Sequence, residues 1–155
     1  MKNSILSEHF KNLFKYNNSI NQLLAEYLLS HTDQMPERII LLACHISNAH
    51  FIWNSRIMGK SIDTKPWDSF PISELLEREK ENMECTMKIL DEVDLEAIKS
   101  YTNSLGNSYK SKVSDILTHI VNHGTYHRGQ IALLLRENGF KPIPSDYIHL
   151  IKDLI

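Results

Sequence analysis

The sequence predicts an all-α fold, a four-helix bundle with a short hairpin-like segment before the fourth helix. Four long stretches place apolar residues three, four or seven apart, the repeat of one helix face. The five prolines, with Gly59, Gly106 and Gly139, fall between or after these stretches. No stretch reads as a glycine-rich phosphate loop, a GxSxG elbow or a repeat array. Amphipathic helices of this kind bury their stripes together, and a bundle is the arrangement that does so. With 155 residues, 23% charged and 42% hydrophobic, the chain fits one domain spanning 1–155. A chain of that length closes its core without disulfides or a structural metal.

The first helix covers residues 4–30, with Leu6, Phe10, Leu13, Ile20, Leu24 and Tyr27 on one stripe. Pro36 suits a first helical turn, and Leu42, His45, Ala49, Ile52 and Arg56 then share a face up to a stop at Gly59. The linker KSIDTKPWDSF leads to Pro71, which opens a third pattern through Ile72, Leu76, Glu79, Met83, Met87 and Leu90. Next comes YTNSLGNSYKSK, which reads as two short strands around a turn from Ser104 to Ser108 centred on Gly106. Ser111 is placed to cap the fourth helix, Val113 to Asn138, which carries Ile116, Ile120, His123, His127, Ile131 and Leu134 and stops at Gly139. Pro142 and Pro144 hold the tail extended before a short apolar segment that packs as a final turn or strap.

Composition narrows the function. Lys and Arg number 17 against 19 Asp and Glu, a net charge of −2 with no basic cluster, which gives nucleic-acid binding little electrostatic support. No segment reaches the apolar length of a membrane span, and the amino terminus lacks the unbroken apolar core of a signal peptide. Cys44 and Cys85 form no C-x-x-C pair and read as buried thiols of a cytoplasmic protein. Asn17-Asn18-Ser19 reads as an accidental sequon inside a helix.

The eight histidines are the unusual count. HIVNHGTYHRGQ places His119, His123 and His127 at successive i,i+4 positions. That spacing lets two imidazoles converge on one ion, as in H-E-x-x-H, although the glutamate base of that motif is missing. His123 and His127 share the register of the apolar residues of their helix, and His45 does so on the second, so the three could meet across two helices. Imidazole ligands favour transition metals, Zn and Ni first with Fe, Mn, Co and Cu open, over Ca or Mg. Three protein ligands leave a position for water or substrate.

The other candidates carry weaker signals. His119 stands about 12 Å of helix from His127, too far to share an ion, and is expected to support the site or sit in the core. His50 is about 140° round the helix from His45 and is expected to leave the cluster, exposed or at an interface. His9, His31 and His149 show no pattern. Arg128 is expected at the helix flank, in a structural ion pair or steering an anionic substrate. Gln130 and Asn48 could orient imidazoles or water, and Gly124 permits close helix approach. Tyr126 has no visible activating base. Trp53 and Trp67 are expected to anchor packing, and Arg56 to reach an end of the bundle.

HIVNHGTYHRGQIALLLRENG together with CHISNAHFIWNSRIMG resembles the DinB family of damage-inducible-type proteins, across essentially the whole chain. The resemblance implies an up-down-down-up bundle, homodimerisation, and a divalent metal held by His45, His123 and His127. It also implies a superfamily with enzymes that join low-molecular-weight thiols to electrophiles, with thiol-dependent isomerases, and with proteins described as metal-dependent hydrolases. The function expected is a metal-dependent thiol transferase or hydrolase acting on a small molecule, with a low-molecular-weight thiol as possible cosubstrate. The rival is a non-catalytic, metal-binding dimeric bundle with a stability, sensing or interaction role. A metal-free histidine core is the third reading.

Overall fold

The computed structural model describes residues 4–103 and 105–151, the side chains of Ser4, His149 and Leu150 aside. The expectations placed on Ser104 and on the side chain of His149 therefore lie outside the described residues. The long helices are α1 (Ser4–Ser30), α2 (Glu37–Ile57), α3 (Leu75–Glu92) and α4 (Val113–Glu137). Strands β1 (Ile98–Thr102) and β2 (Ser108–Lys112) form an antiparallel hairpin with Tyr101 opposite Tyr109. A short helix, α5 (Tyr147–Ile151), ends the described chain. Among the described residues no helix is long and apolar enough to cross a membrane.

Two apolar clusters show how the helices run. One joins Leu24 and Leu28 of α1 to Ile39 and Leu42 of α2, Leu75 of α3, and Ile131 and Leu135 of α4. The other joins Phe10 and Phe14 of α1 to Ile57 of α2, Ile89 and Leu90 of α3, and Val113, Ile116 and Leu117 of α4. Thus α1 and α4 run from the second cluster to the first, while α2 and α3 run from the first to the second. The bundle is up-down-down-up, as expected.

Both expected glycine stops hold. Gly59 and Gly139 have φ of 68° and 80°, the left-handed conformation that ends a helix at little cost only for glycine. Ser111 does not cap α4, which begins after Lys112 without a side-chain cap. The Val113 and Ser114 amides donate instead to the Ala97 and Leu95 carbonyls, so backbone from the segment entering the hairpin satisfies the helix end. The Ser111 hydroxyl pairs with the Tyr101 phenol at 3.2 Å.

The main departure from the expected stripes lies between the two clusters, where the buried residues are polar. On α3 the buried set is Leu75, Glu79, Asn82, Thr86, Ile89 and Leu90, rather than a stripe through Leu76, Met83 and Met87. Arg128, placed at a helix flank by its angle from His127, is only 4% exposed. Its Nη1 donates to Asn17 Oδ1 at 2.7 Å and Asn21 Oδ1 at 2.8 Å and its Nη2 to Thr125 Oγ1 at 3.0 Å, so these partners are neutral amides and a hydroxyl. Asn21 Nδ2 donates onward to Glu79 Oε2 at 2.9 Å. Ser47 hydrogen-bonds Glu79 from the other side, and Asn82 donates to the Ser47 carbonyl at 3.1 Å. Burial raises the Glu79 pKa and lowers that of Arg128.

His50 leaves the histidine cluster as expected, but it is buried rather than exposed, at 4% exposure. Its Nε2 lies 2.8 Å from Thr86 Oγ1. The Thr86 hydroxyl donates to the Asn82 carbonyl and accepts from Asn54 Nδ2. His50 Nε2 thus finds its partner in this hydroxyl, while His50 Nδ1 is buried without one. The angle from His45 pointed away from the histidines, but that direction leads into the interface between α2 and α3. Burial lowers the His50 pKa to about 3.

Gly124 serves this layer. A Cβ there would meet Arg128 Nη1 at 2.9 Å and Asn17 Oδ1 at 3.0 Å, so the absent side chain leaves room for a hydrogen bond as well as for helix approach. Gly124→Ala is expected to lower stability by about 1–2 kcal/mol despite the better helix propensity of alanine, measured by urea denaturation. The unfolded chain protonates His50 near pH 6.5, whereas the folded chain resists protonation down to about 3. The stability tied to neutral His50 is therefore complete above pH 6.5 and lost as pH falls toward 3. His50→Gln should flatten the pH dependence of stability across that window, by an amount on the order of 5 kcal/mol at most.

Candidate metal centre

His45 projects from the middle of α2, and His123 and His127 from successive turns of α4. One ring nitrogen from each forms a group within 4.8 Å, close enough to share one ion. His45 Nε2 and His123 Nε2 are 3.1 Å apart. Two nitrogens bound to one tetrahedral ion at zinc distances stand about 3.3 Å apart, so this pair needs little movement to fit. His45 and His127 are 6% and 8% exposed, and His123 is half-buried.

The opposite ring nitrogens are held in place. His45 Nδ1 donates to the Pro66 carbonyl at 2.8 Å, and His127 Nδ1 donates to Gln130 Oε1 at 2.8 Å. A carbonyl can only accept, so both rings carry their proton on Nδ1 and present the Nε2 lone pair to the centre of the group. Gln130 thus orients an imidazole. Asn48 acts one step away, donating to the Asp68 carbonyl at 2.7 Å and fastening the linker that supplies Pro66.

Burial, followed by the neighbouring histidines, lowers the His123 pKa to about 3. Burial also lowers His45, against the Pro66 hydrogen bond, which favours its protonated form. Both rings are therefore neutral at neutral pH, the state that binds a metal. Among the described residues the group is joined by no carboxylate. It suits a borderline transition metal better than calcium or magnesium, which prefer oxygen.

Trp67 was expected as a packing anchor, yet it is 46% exposed and stacks on His45 with centroids 3.7 Å apart and planes at 5°. The linker composition offered no signal for this role, since an aromatic beside a proline reads equally well as packing. His119 stays outside the group. Its ring stands 5.4 Å from that of His123 and 5.1 Å edge-on to Trp53, lining the flank of the centre. Exposed Tyr126 lies edge-on to His127 at 5.0 Å. His31 pairs with the Tyr27 carbonyl and His9 lies against Phe10, both apart from the triad. Cys44 and Cys85 are free thiols, the first buried and the second partly so.

Comparison with known proteins gives the chain a family. The chain is 55% identical over 38 residues to Protein DinB of Bacillus subtilis (strain 168). That stretch is 24% of this chain and 22% of the relative, so the match spans about a fifth of the relative's length. The model of the DinB family matches residues 3–153, nearly the full length that carries the bundle and the triad, and the chain belongs to that family.

Proposed function

We propose that the protein is a divalent-metal-dependent enzyme that acts on a small molecule, with thiolate transfer favoured over hydrolysis. The observation that carries this reading is the triad itself: three imidazoles converge, two of them with the proton fixed on the far nitrogen, and among the described residues no carboxylate joins them. A bound ion would supply Lewis acidity, lowering the pKa of a thiol or a water at its open position. Hydrolysis by activated water is commonly assisted by a carboxylate base, which this group lacks. A thiolate needs no such base, because once deprotonated it is the nucleophile. Its sulfur bonds to the electrophilic carbon, the leaving group departs with its electron pair, and the thiol proton goes to solvent. His45, His123 and His127 would hold the ion, while Pro66 and Gln130 keep two of the rings correctly turned. The family resemblance adds the proposal that the protein works as a homodimer, which light scattering checks.

Zinc, nickel or cobalt should bind at one ion per chain, measured by calorimetry and elemental analysis, and His127→Ala should abolish that uptake. Gln130→Leu leaves all three ligands in place and should weaken affinity about tenfold, because it frees the His127 ring. Binding needs neutral rings, so uptake should weaken as pH falls, and burial, which lowers the pKa of His45 and His123, delays the loss of those two ligands. Thiol consumption with an electrophile, lost on chelation and in His127→Ala, would support the enzyme. Chelation that lowers the melting temperature of a protein without such turnover would favour the non-catalytic bundle.

A further inference from the structure

Arg56 and the hairpin form a corner beside the triad that the proposed chemistry does not use. The Arg56 guanidinium lies 4.4 Å from the Trp53 ring centroid and 5.1 Å from that of Tyr101 on β1. Nη2 donates to the Thr102 carbonyl at 3.3 Å. The Trp53 and Tyr101 rings meet edge-on at 5.0 Å, and Trp53 meets His119 in the same way. His119 in turn lies against His123. Arg56, Trp53, His119 and His123 therefore form one continuous wall from the hairpin to the triad.

The charge on this wall is not neutralised. None of the ion pairs among the described residues involves Arg56. Burial disfavours its charged form, and among the described residues the Tyr101 phenol favours it and no carboxylate does. A second guanidinium, Arg38, lies 5.5 Å from the centroid of Trp67, which stacks on His45. Two of the aromatic rings in contact with these histidines thus each carry a guanidinium. A partly desolvated guanidinium fixed on ring faces, with donors to spare, is suited to hydrogen-bond an oxyanion.

We propose that Arg56 is a specificity-determining residue that binds an anionic group, a carboxylate or a phosphate, on the small molecule whose reacting end reaches the triad. The aromatic wall of Trp53 and His119 covers the part of the molecule in between. The proposal rests on the reading of the triad as a metal centre, and its test keeps the two apart.

Inorganic phosphate is titrated into the native protein with and without added zinc, following the Arg56 Nε–H resonance by NMR. A saturable shift is expected in both cases, and its absence overturns the proposal. Glutathione and its dimethyl ester are then compared on cobalt-loaded protein through the visible absorption of the ion. Glutathione should bind about tenfold more tightly than the ester. Arg56→Met should erase that difference without changing the affinity for the ester, and Arg56→Lys should retain part of it. Equal weakening of both probes in Arg56→Met would make Arg56 a clamp for the hairpin and overturn the proposal. If neither thiol alters the cobalt absorption, the thiol reading of the triad falls, while the phosphate titration still decides the anion site.

Discussion

Burying Arg128 and Glu79 at the same height of the bundle is the constraint on which the rest of the structure depends. Neither group can be left unsatisfied away from water without a penalty of several kcal/mol. Asn21 meets both, accepting from Arg128 through its oxygen and donating to Glu79 through its nitrogen. The chain of bonds continues through Ser47, Asn82, Thr86 and His50, so α4, α1, α3 and α2 are joined in one layer. Apolar contacts tolerate sliding by a residue or more, whereas these hydrogen bonds do not. The layer therefore fixes the heights of the helices relative to one another, and with them the height at which His45 faces His123 and His127.

Much of the bundle was legible in the sequence because its two ends are apolar and its helices stop at glycines. Phe10, Ile20, Leu24, Ile116, Ile120 and Ile131 are buried as the three-and-four spacing requires. The polar layer was not legible, because a stripe search counts Asn17, Asn21, Asn82 and Thr86 as outward residues. Buried polar residues reveal themselves only through partners on other helices, which a single sequence does not show. His50 and Arg128 were misplaced for that reason. The triad could be read because its ligands keep the apolar register of their own helices. The roles of Pro66 and Trp67 depend on the path of a loop, which periodicity does not describe.

Topology explains that path. Since α2 and α3 run in the same direction, the chain leaving Ile57 must travel back along the bundle before α3 begins at Leu75. A hairpin turn would not suffice. The return passes the open side of α2, where Asn48 holds the Asp68 carbonyl, His45 holds that of Pro66, and Trp67 lies flat on the imidazole. The connection thus helps to build the centre, and the hairpin before α4 completes the opposite wall through Tyr101 and Thr102.

The hydrogen bond from His45 to the Pro66 carbonyl links two events that otherwise look separate. A ligand that requires the Nε2 lone pair stabilises the tautomer with its proton on Nδ1, and so strengthens the bond to the returning segment. By reciprocity, whatever holds that segment down raises affinity at the histidines by the same factor. Occupancy of the centre and protection of residues 60–70 from proteases are then two readings of one equilibrium.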